Sequence, residues 1–160
     1  MGVLAAIRPD DWNLPLLVHV SGAMLLVGGL AAAAAFQLYG WRRQRAEDAA
    51  GFARLAFRSL LFAALPAWFV MRLGAEWIYR RQGWQDVGAA EPTWLGIGWI
   101  TADLGGFLLL LSIVLTGIGA RRLRLRRGER STLVRVAAVL TLLALIAYVV
   151  ATWAMAGKPA

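Results

Sequence analysis

Four long apolar runs, separated by short charged connections, dominate the chain. They cover residues 14–41, 57–79, 95–120 and 133–155. About 20 consecutive apolar residues are enough for a helix to cross the hydrocarbon core of a bilayer. The runs do not alternate with polar residues, and this continuity favours helices over the strands of a membrane barrel. The pattern predicts one all-α transmembrane domain, an integral membrane bundle of four antiparallel helices.

The composition supports this prediction and excludes functions that depend on cysteine. Hydrophobic residues make up 60% of the chain, more than a soluble domain of this size normally carries. There is no cysteine, which excludes disulfides, thiolate metal sites and cysteine catalysis. Asp10 and Asp11 precede the first run, where a signal peptide would be positively charged, so we expect the first helix to be retained.

Basic residues are concentrated in two of the three connections. Twelve of the 17 lysines and arginines lie in or beside the first and third connections. The positive-inside rule places these connections in the cytoplasm, and therefore both termini and the 80–94 loop on the outer side. We expect a group of these arginines to contact anionic lipid head groups at the cytoplasmic face: Arg42, Arg43, Arg45, Arg121, Arg122, Arg124, Arg126 and Arg127.

The net charge of +8 would suggest a nucleic-acid partner in a soluble protein. Here the charge is explained by topology, and the basic run 121–127 has no interleaved aromatic residues. We therefore expect no nucleic-acid partner.

Four polar side chains interrupt the spans: His19, Arg72, Glu76 and Asp103. With a rise of about 1.5 Å per residue, all four lie roughly 6–12 Å below the outer boundary. Such side chains are costly in lipid, so they are expected to face the bundle interior and to pair. We predict a buried polar cluster in which Arg72 binds Glu76 and Asp103, and His19 adds a hydrogen bond. Arg80, one turn further along the helix, competes with Arg72 for the Glu76 carboxylate.

The same residues allow two functional alternatives. His19, Glu76 and Asp103 supply a nitrogen and two carboxylates, a donor set suited to a divalent metal ion. A single histidine permits haem only in a dimer, at an open site, or with a methionine such as Met24, Met71 or Met155. Because histidine titrates near neutrality, the cluster also suits a proton-coupled transporter. No phosphate loop, nucleophile elbow or His-Glu-x-x-His motif is present, so we do not expect an enzyme.

Proline and small residues give further expectations about packing. Pro66 lies in the middle of the second run and predicts a kink there. Gly28 with Ala32, and Gly29 with Ala33, place small side chains four residues apart on the first helix. Such spacing permits close helix approach in lipid, and packing within the chain is favoured over a dimer seam.

Several segments resemble a known group of small bacterial membrane proteins. The segments are 19–29 (HVSGAMLLVGG), 65–78 (LPAWFVMRLGAEWI), 94–103 and 153–159. The group is described as a predicted four-helix integral membrane family of unknown function. This resemblance implies the fold and a bacterial inner membrane, and it implies no activity. The histidine before a small-residue helix is also similar to the first helix of copper-resistance D-type membrane domains, although further copper-path histidines are not evident.

Together these observations favour a non-enzymatic, multi-pass protein of the bacterial inner membrane. We expect a small structural or accessory subunit, or a minimal transport element, with a homo-oligomer or another membrane protein as its partner. Metal or haem binding through His19, and proton-coupled transport, stay open as alternatives, and no cofactor is identified.

Overall fold

The computed structural model describes residues 13–42, 46–83, 93–125 and 132–157, and the regular structure in them is helical. The helices are α1 (Asn13–Arg42), α2 (Ala46–Ser59), α3 (Leu65–Arg81), α4 (Thr93–Leu125) and α5 (Thr132–Gly157), with a π-helical turn at Leu60–Ala64 between α2 and α3. Four spans are long and apolar enough to cross a membrane: Leu14–Arg42, Asp48–Arg81, Thr93–Leu125 and Thr132–Ala156. The predicted set of four long apolar helices is confirmed.

The second span begins about three turns before the predicted position. The sequence predicted a start at residue 57, whereas α2 begins at Ala46. Ala50, Ala53 and Ala56 are buried while Arg54 and Arg58 are exposed. This three-to-four residue spacing makes α2 amphipathic. Its charged residues interrupt the apolar run, so a criterion based on continuous apolar residues does not detect this helix.

Directly before Pro66, where the sequence predicts a kink, the backbone forms a π turn. The backbone N–H of Leu65 donates to the carbonyl of Leu60, five residues back. In a regular α-helix the Pro66 ring would clash with the carbonyl of Phe62. The wider turn directly before the proline is a common way for a helix to accommodate such a residue.

Glycines bring α1 against the second span. A Cβ on Gly74 would lie 2.6 Å from the backbone nitrogen of His19, and one on Gly29 would lie 2.9 Å from that of Ala64. Gly22 meets the backbone of Met71 still more closely. These positions therefore require glycine because neighbouring backbones, not flexible side chains, occupy the space. The expected close approach is present at Gly29, whereas Gly28 is exposed and its Cβ position meets no neighbouring helix.

Helix α4 packs on α5 and α2, and it contacts α3 at few positions. Gly105 accommodates the ring of Tyr148, and Gly98 accommodates Met155. On the side facing α3, Gly106 accommodates the ring of Trp68. Large side chains thus fill the wider gap between α3 and α4.

The two ends of the bundle hold different polar groups. His19, Gly74, Gly98 and Met155 lie at one end, called the His19 end. The other, the Gln37 end, is marked by Gln37 with Thr116 and by a small apolar cluster: Ala50, Ala53, Ala120, Leu123 and Val134. Between them lies the central leucine cluster, with no exposed surface on Leu26, Leu30, Leu60 or Leu109.

Candidate functional site

An ion pair joins α3 to α4 near the His19 end. Arg72 Nη2 lies 3.0 Å from Asp103 Oδ1. The Arg72 guanidinium also lies over the ring of Trp99, 4.0 Å from its centroid, in a cation–π contact. Trp99 and Asp103 are four residues apart and therefore share a face of α4. The predicted pairing of Arg72 with Asp103 is confirmed.

This ion pair faces the surface of the bundle. The Asp103 side chain is 65% exposed and that of Arg72 is 28% exposed. On the same side of α4, Ile100, Leu104 and Phe107 are exposed apolar side chains. The prediction that Asp103 belongs to a buried cluster is therefore wrong: its carboxylate lies within an apolar outward face.

Glu76 binds Arg80, the cation that was expected to compete with Arg72. Arg80 Nε lies 2.7 Å from Glu76 Oε1, and both side chains are substantially exposed. A glutamate four residues before a basic residue is a favourable helical pair, and Arg72 is turned towards α4. The predicted pairing of Arg72 with Glu76 is therefore wrong, and Glu76 lies outside the Arg72–Asp103 site.

His19 links α1 to α3 through the backbone. Its Nδ1 lies 2.9 Å from the carbonyl oxygen of Met71. A carbonyl oxygen can only accept, so Nδ1 carries the proton and donates. The expected hydrogen bond from the first helix is present, but it reaches the backbone of Met71 and not the charged residues.

The predicted metal ligands are not brought together. Across the four described ranges, no group of three His, Cys, Asp or Glu side chains is placed to hold a metal ion. His19 is engaged by Met71, Glu76 by Arg80, and Asp103 by Arg72. The arrangement of His19, Glu76 and Asp103 as a common metal site is therefore wrong in this structure.

The carbonyl of Ala102, next to Asp103, joins three helices. Trp68 Nε1 of α3 donates to it at 3.0 Å, and the Tyr148 hydroxyl of α5 lies 3.5 Å from it. The sequence analysis missed this point of contact. Its signal is the pair Gly105–Gly106, which leaves room on one side for Tyr148 and on the other for Trp68.

A second polar group lies at the Gln37 end, and it was also missed. Gln37 is 1% exposed, and its Nε2 donates to Thr116 Oγ1 at 3.0 Å. Ser112 and Thr141 are fully buried at the same end. The signal in the sequence is Gln37 itself, a long polar side chain that interrupts the apolar part of the first run.

Arginines surround the Gln37 end. Of the eight predicted to contact lipid head groups, four lie at helix ends and are exposed: Arg42, Arg121, Arg122 and Arg124. The other four lie outside the described residues: Arg43, Arg45, Arg126 and Arg127. The guanidinium of Arg135 lies 5.4 Å from the centroid of the Trp41 ring, which fixes one further cation at this end.

No family model, no curated protein and no solved structure matches this chain. The resemblance to the bacterial membrane family remains a prediction from the residues quoted above.

Proposed function

We propose that the chain is a multi-pass protein of the bacterial inner membrane, an antiparallel four-helix bundle with both termini outside. Four spans of sufficient length and apolarity support membrane insertion. The proximity of His19 to Gly74 and of Gly98 to Met155 supports antiparallel neighbours. The exposed arginines at the Gln37 end support a cytoplasmic location for that end.

Within the membrane, the proposed role is that of a non-enzymatic accessory subunit. It binds another membrane protein through the Asp103 face, defined by Ile100, Asp103, Leu104 and Phe107 on α4. The observation that carries this proposal is the 65% exposure of the Asp103 side chain among exposed apolar neighbours. The ion pair with Arg72 involves Oδ1, and the rest of this carboxylate is exposed on an otherwise apolar face.

The ion pair with Arg72 offsets only part of the free-energy cost of placing the Asp103 carboxylate in the membrane. Placing an aspartate at the centre of a membrane helix costs about 2.5–3.5 kcal/mol on insertion scales, and less towards the interface. Arg72 binds Oδ1 on the side facing α3. A helix that brings a cationic or hydrogen-bond-donating side chain to the outward side of Asp103 would complete its coordination and cover the apolar neighbours.

The other polar contacts of the spans support a structural role. His19 to Met71, Trp68 to Ala102 and Ser59 to Gly29 each fasten one helix to the backbone of another, the last at 2.9 Å. These hydrogen bonds hold the helices against one another with polar side chains inside the bundle, whereas the Asp103 side chain is mostly exposed.

Photo-crosslinking in the native membrane tests the proposal. A photoreactive phenylalanine analogue replaces Phe107 in the full-length protein, and the matched control replaces Phe62, which is 72% exposed on the second span. We expect a protein adduct of defined mass from position 107 and none from position 62. Asp103→Asn should reduce the adduct about tenfold, equivalent to about 1.4 kcal/mol of binding free energy.

Four outcomes would contradict this function. Adducts with lipid alone, or an unchanged protein adduct in Asp103→Asn, would remove the Asp103 face as a binding surface. A stoichiometric metal or haem in the gently extracted protein would favour the cofactor alternative. Loss of proton-driven transport in Asp103→Asn, with the adduct retained, would favour the transporter alternative. A second copy of this chain as the captured protein would identify a homo-oligomer.

A further inference from the structure

Two fully buried polar atoms at the Gln37 end have no hydrogen-bond partner among the residues that the structure describes. They are Gln37 Oε1 on α1 and Ser112 Oγ on α4, in residues that are 1% and 0% exposed. Buried side-chain oxygens are normally paired, because leaving one dry forfeits the hydrogen bonds it makes in water. Unlike Asp103, these atoms are out of reach of lipid and of a partner protein.

Thr116 brings the two atoms into one neighbourhood. Gln37 Nε2 donates to Thr116 Oγ1 at 3.0 Å, so the amide is held beside this hydroxyl. Ser112 precedes Thr116 by four residues and therefore lies on the same face of α4, one turn away. A small molecule next to Thr116 would consequently be near both the free amide oxygen and the free hydroxyl.

The surroundings are made of short side chains. Ala33, Ala56 and Ala137, from three different helices, have no exposed surface at this end of the bundle. Helix α1 packs on α2, α3 and α5, while α4 packs on α2 and α5, so α1 and α4 lie diagonally across the bundle. Gln37 is long enough to reach across this diagonal to Thr116.

We infer that a single water molecule is bound between Gln37 Oε1 and Ser112 Oγ, with Thr116 Oγ1 as its third neighbour. Water donates to the amide oxygen and either donates to or accepts from the serine hydroxyl, and buried waters typically make about three such bonds. A metal cation is a poorer occupant because all three oxygens are neutral, and an uncompensated charge is costly in an apolar interior. The inference is independent of the Asp103 face.

Thr141 provides a matched control. It is fully buried on α5, like Ser112 on α4, but its Oγ1 donates to the carbonyl of Ala137 in its own helix at 2.8 Å. The Thr141 hydroxyl therefore has a hydrogen-bond partner without any bound water.

A thermal-unfolding cycle on the full-length protein in one detergent tests the inference. The variants are Gln37→Met, Ser112→Ala, their combination, and Thr141→Val alone and with Gln37→Met. We expect Ser112→Ala to lower the unfolding midpoint by about 3 °C, and Thr141→Val to lower it by about 1 °C or less. The Gln37→Met and Ser112→Ala shifts should sum to more than the shift of their combination, since each removes the same water.

A raised or unchanged midpoint in Ser112→Ala would overturn the inference, because removing a dry hydroxyl costs nothing. Strict additivity of the two shifts would also overturn the inference. A midpoint that rises when sodium or lithium replaces choline would overturn it too, because it would identify a cation.

If the variants do not fold, a second measurement tests the inference on the wild-type protein in deuterated detergent. It is magnetisation transfer from water to the Gln37 side-chain amide, observed by NMR. We expect a cross-peak that persists after surface exchange is suppressed, and its absence would exclude the bound water.

Discussion

Gly22→Ala is expected to lower the free energy of unfolding by about 3 kcal/mol, the upper part of the range for an overpacked interior. The new Cβ would meet the backbone nitrogen and Cα of Met71, the latter at 2.7 Å, and the carbonyl of Ala67 at 3.0 Å. Backbone atoms cannot rotate away as a flexible side chain can. Helix α1 must therefore move off the second span, which also stretches the His19 hydrogen bond to Met71. The measurement is the thermal-unfolding midpoint of the purified protein in detergent.

Gly28→Ala is the matched control on the same helix. Gly28 is exposed, and no atom lies within 4 Å of the Cβ position. Alanine is a better helix former than glycine by up to about 1 kcal/mol, so this variant should be as stable as the wild type or more stable. Equal losses in Gly22→Ala and Gly28→Ala would show that the close α1–α3 contact does not exist in the folded protein.

Trp68→Ala is the second substitution with a large expected effect. We expect a loss of about 3 kcal/mol, the lower end for removing a large aromatic side chain, because the ring is only partly buried. The indole fills the space beside Gly106 and donates to the carbonyl of Ala102. Its removal leaves a gap between α3 and α4, which contact each other at few other positions.

Two further variants separate packing from hydrogen bonding. Trp68→Phe keeps much of the ring volume and loses the N–H donor, so it should cost about 1 kcal/mol. Trp153→Ala removes a ring that is 69% exposed, and its stability should change by no more than about 0.5 kcal/mol. Chemical unfolding followed by far-UV circular dichroism gives all three values. If Trp153→Ala lost as much unfolding free energy as Trp68→Ala, the loss would come from contact of the ring with detergent and not from the gap between α3 and α4.

The helical spans could be predicted from the sequence because each signal is contained in a single run of residues. The apolar runs gave the four long helices to within a few residues at most boundaries. The exception is the start of the second span. Arg54 and Arg58 are typical of a loop, whereas the burial of Ala50, Ala53 and Ala56 shows the inner face of a helix. A hydropathy window averages over both faces of an amphipathic helix and therefore misses it.

The polar site could be predicted only in part. Arg72 and Asp103 follow from the rule that charges in a span must pair. Glu76 has an arginine four residues away in each direction, Arg72 and Arg80, and helical spacing alone does not choose between them. The exposure of Asp103 depends on the rotation of α4 about its axis, which a helix with an almost uniformly apolar surface does not encode.

The partners of His19 and Gln37 illustrate a second limit. His19 bonds to a backbone carbonyl, and every residue in a helix carries one, so no side-chain pattern marks Met71 as the acceptor. Gln37 and Thr116 are 79 residues apart and lie on helices that are not direct neighbours. Their contact depends on how all the helices are shifted relative to one another along the bundle axis, which the sequence does not show directly.

The central leucine cluster divides the bundle into two compartments. Leu26, Leu30, Leu60 and Leu109 are wholly enclosed between the Ala102 carbonyl on one side and Gln37 on the other. Within the part of the chain described, this hydrocarbon septum separates the two sets of polar groups. In this arrangement, an ion or proton moving along the axis of a single bundle would have to cross this layer of leucine side chains.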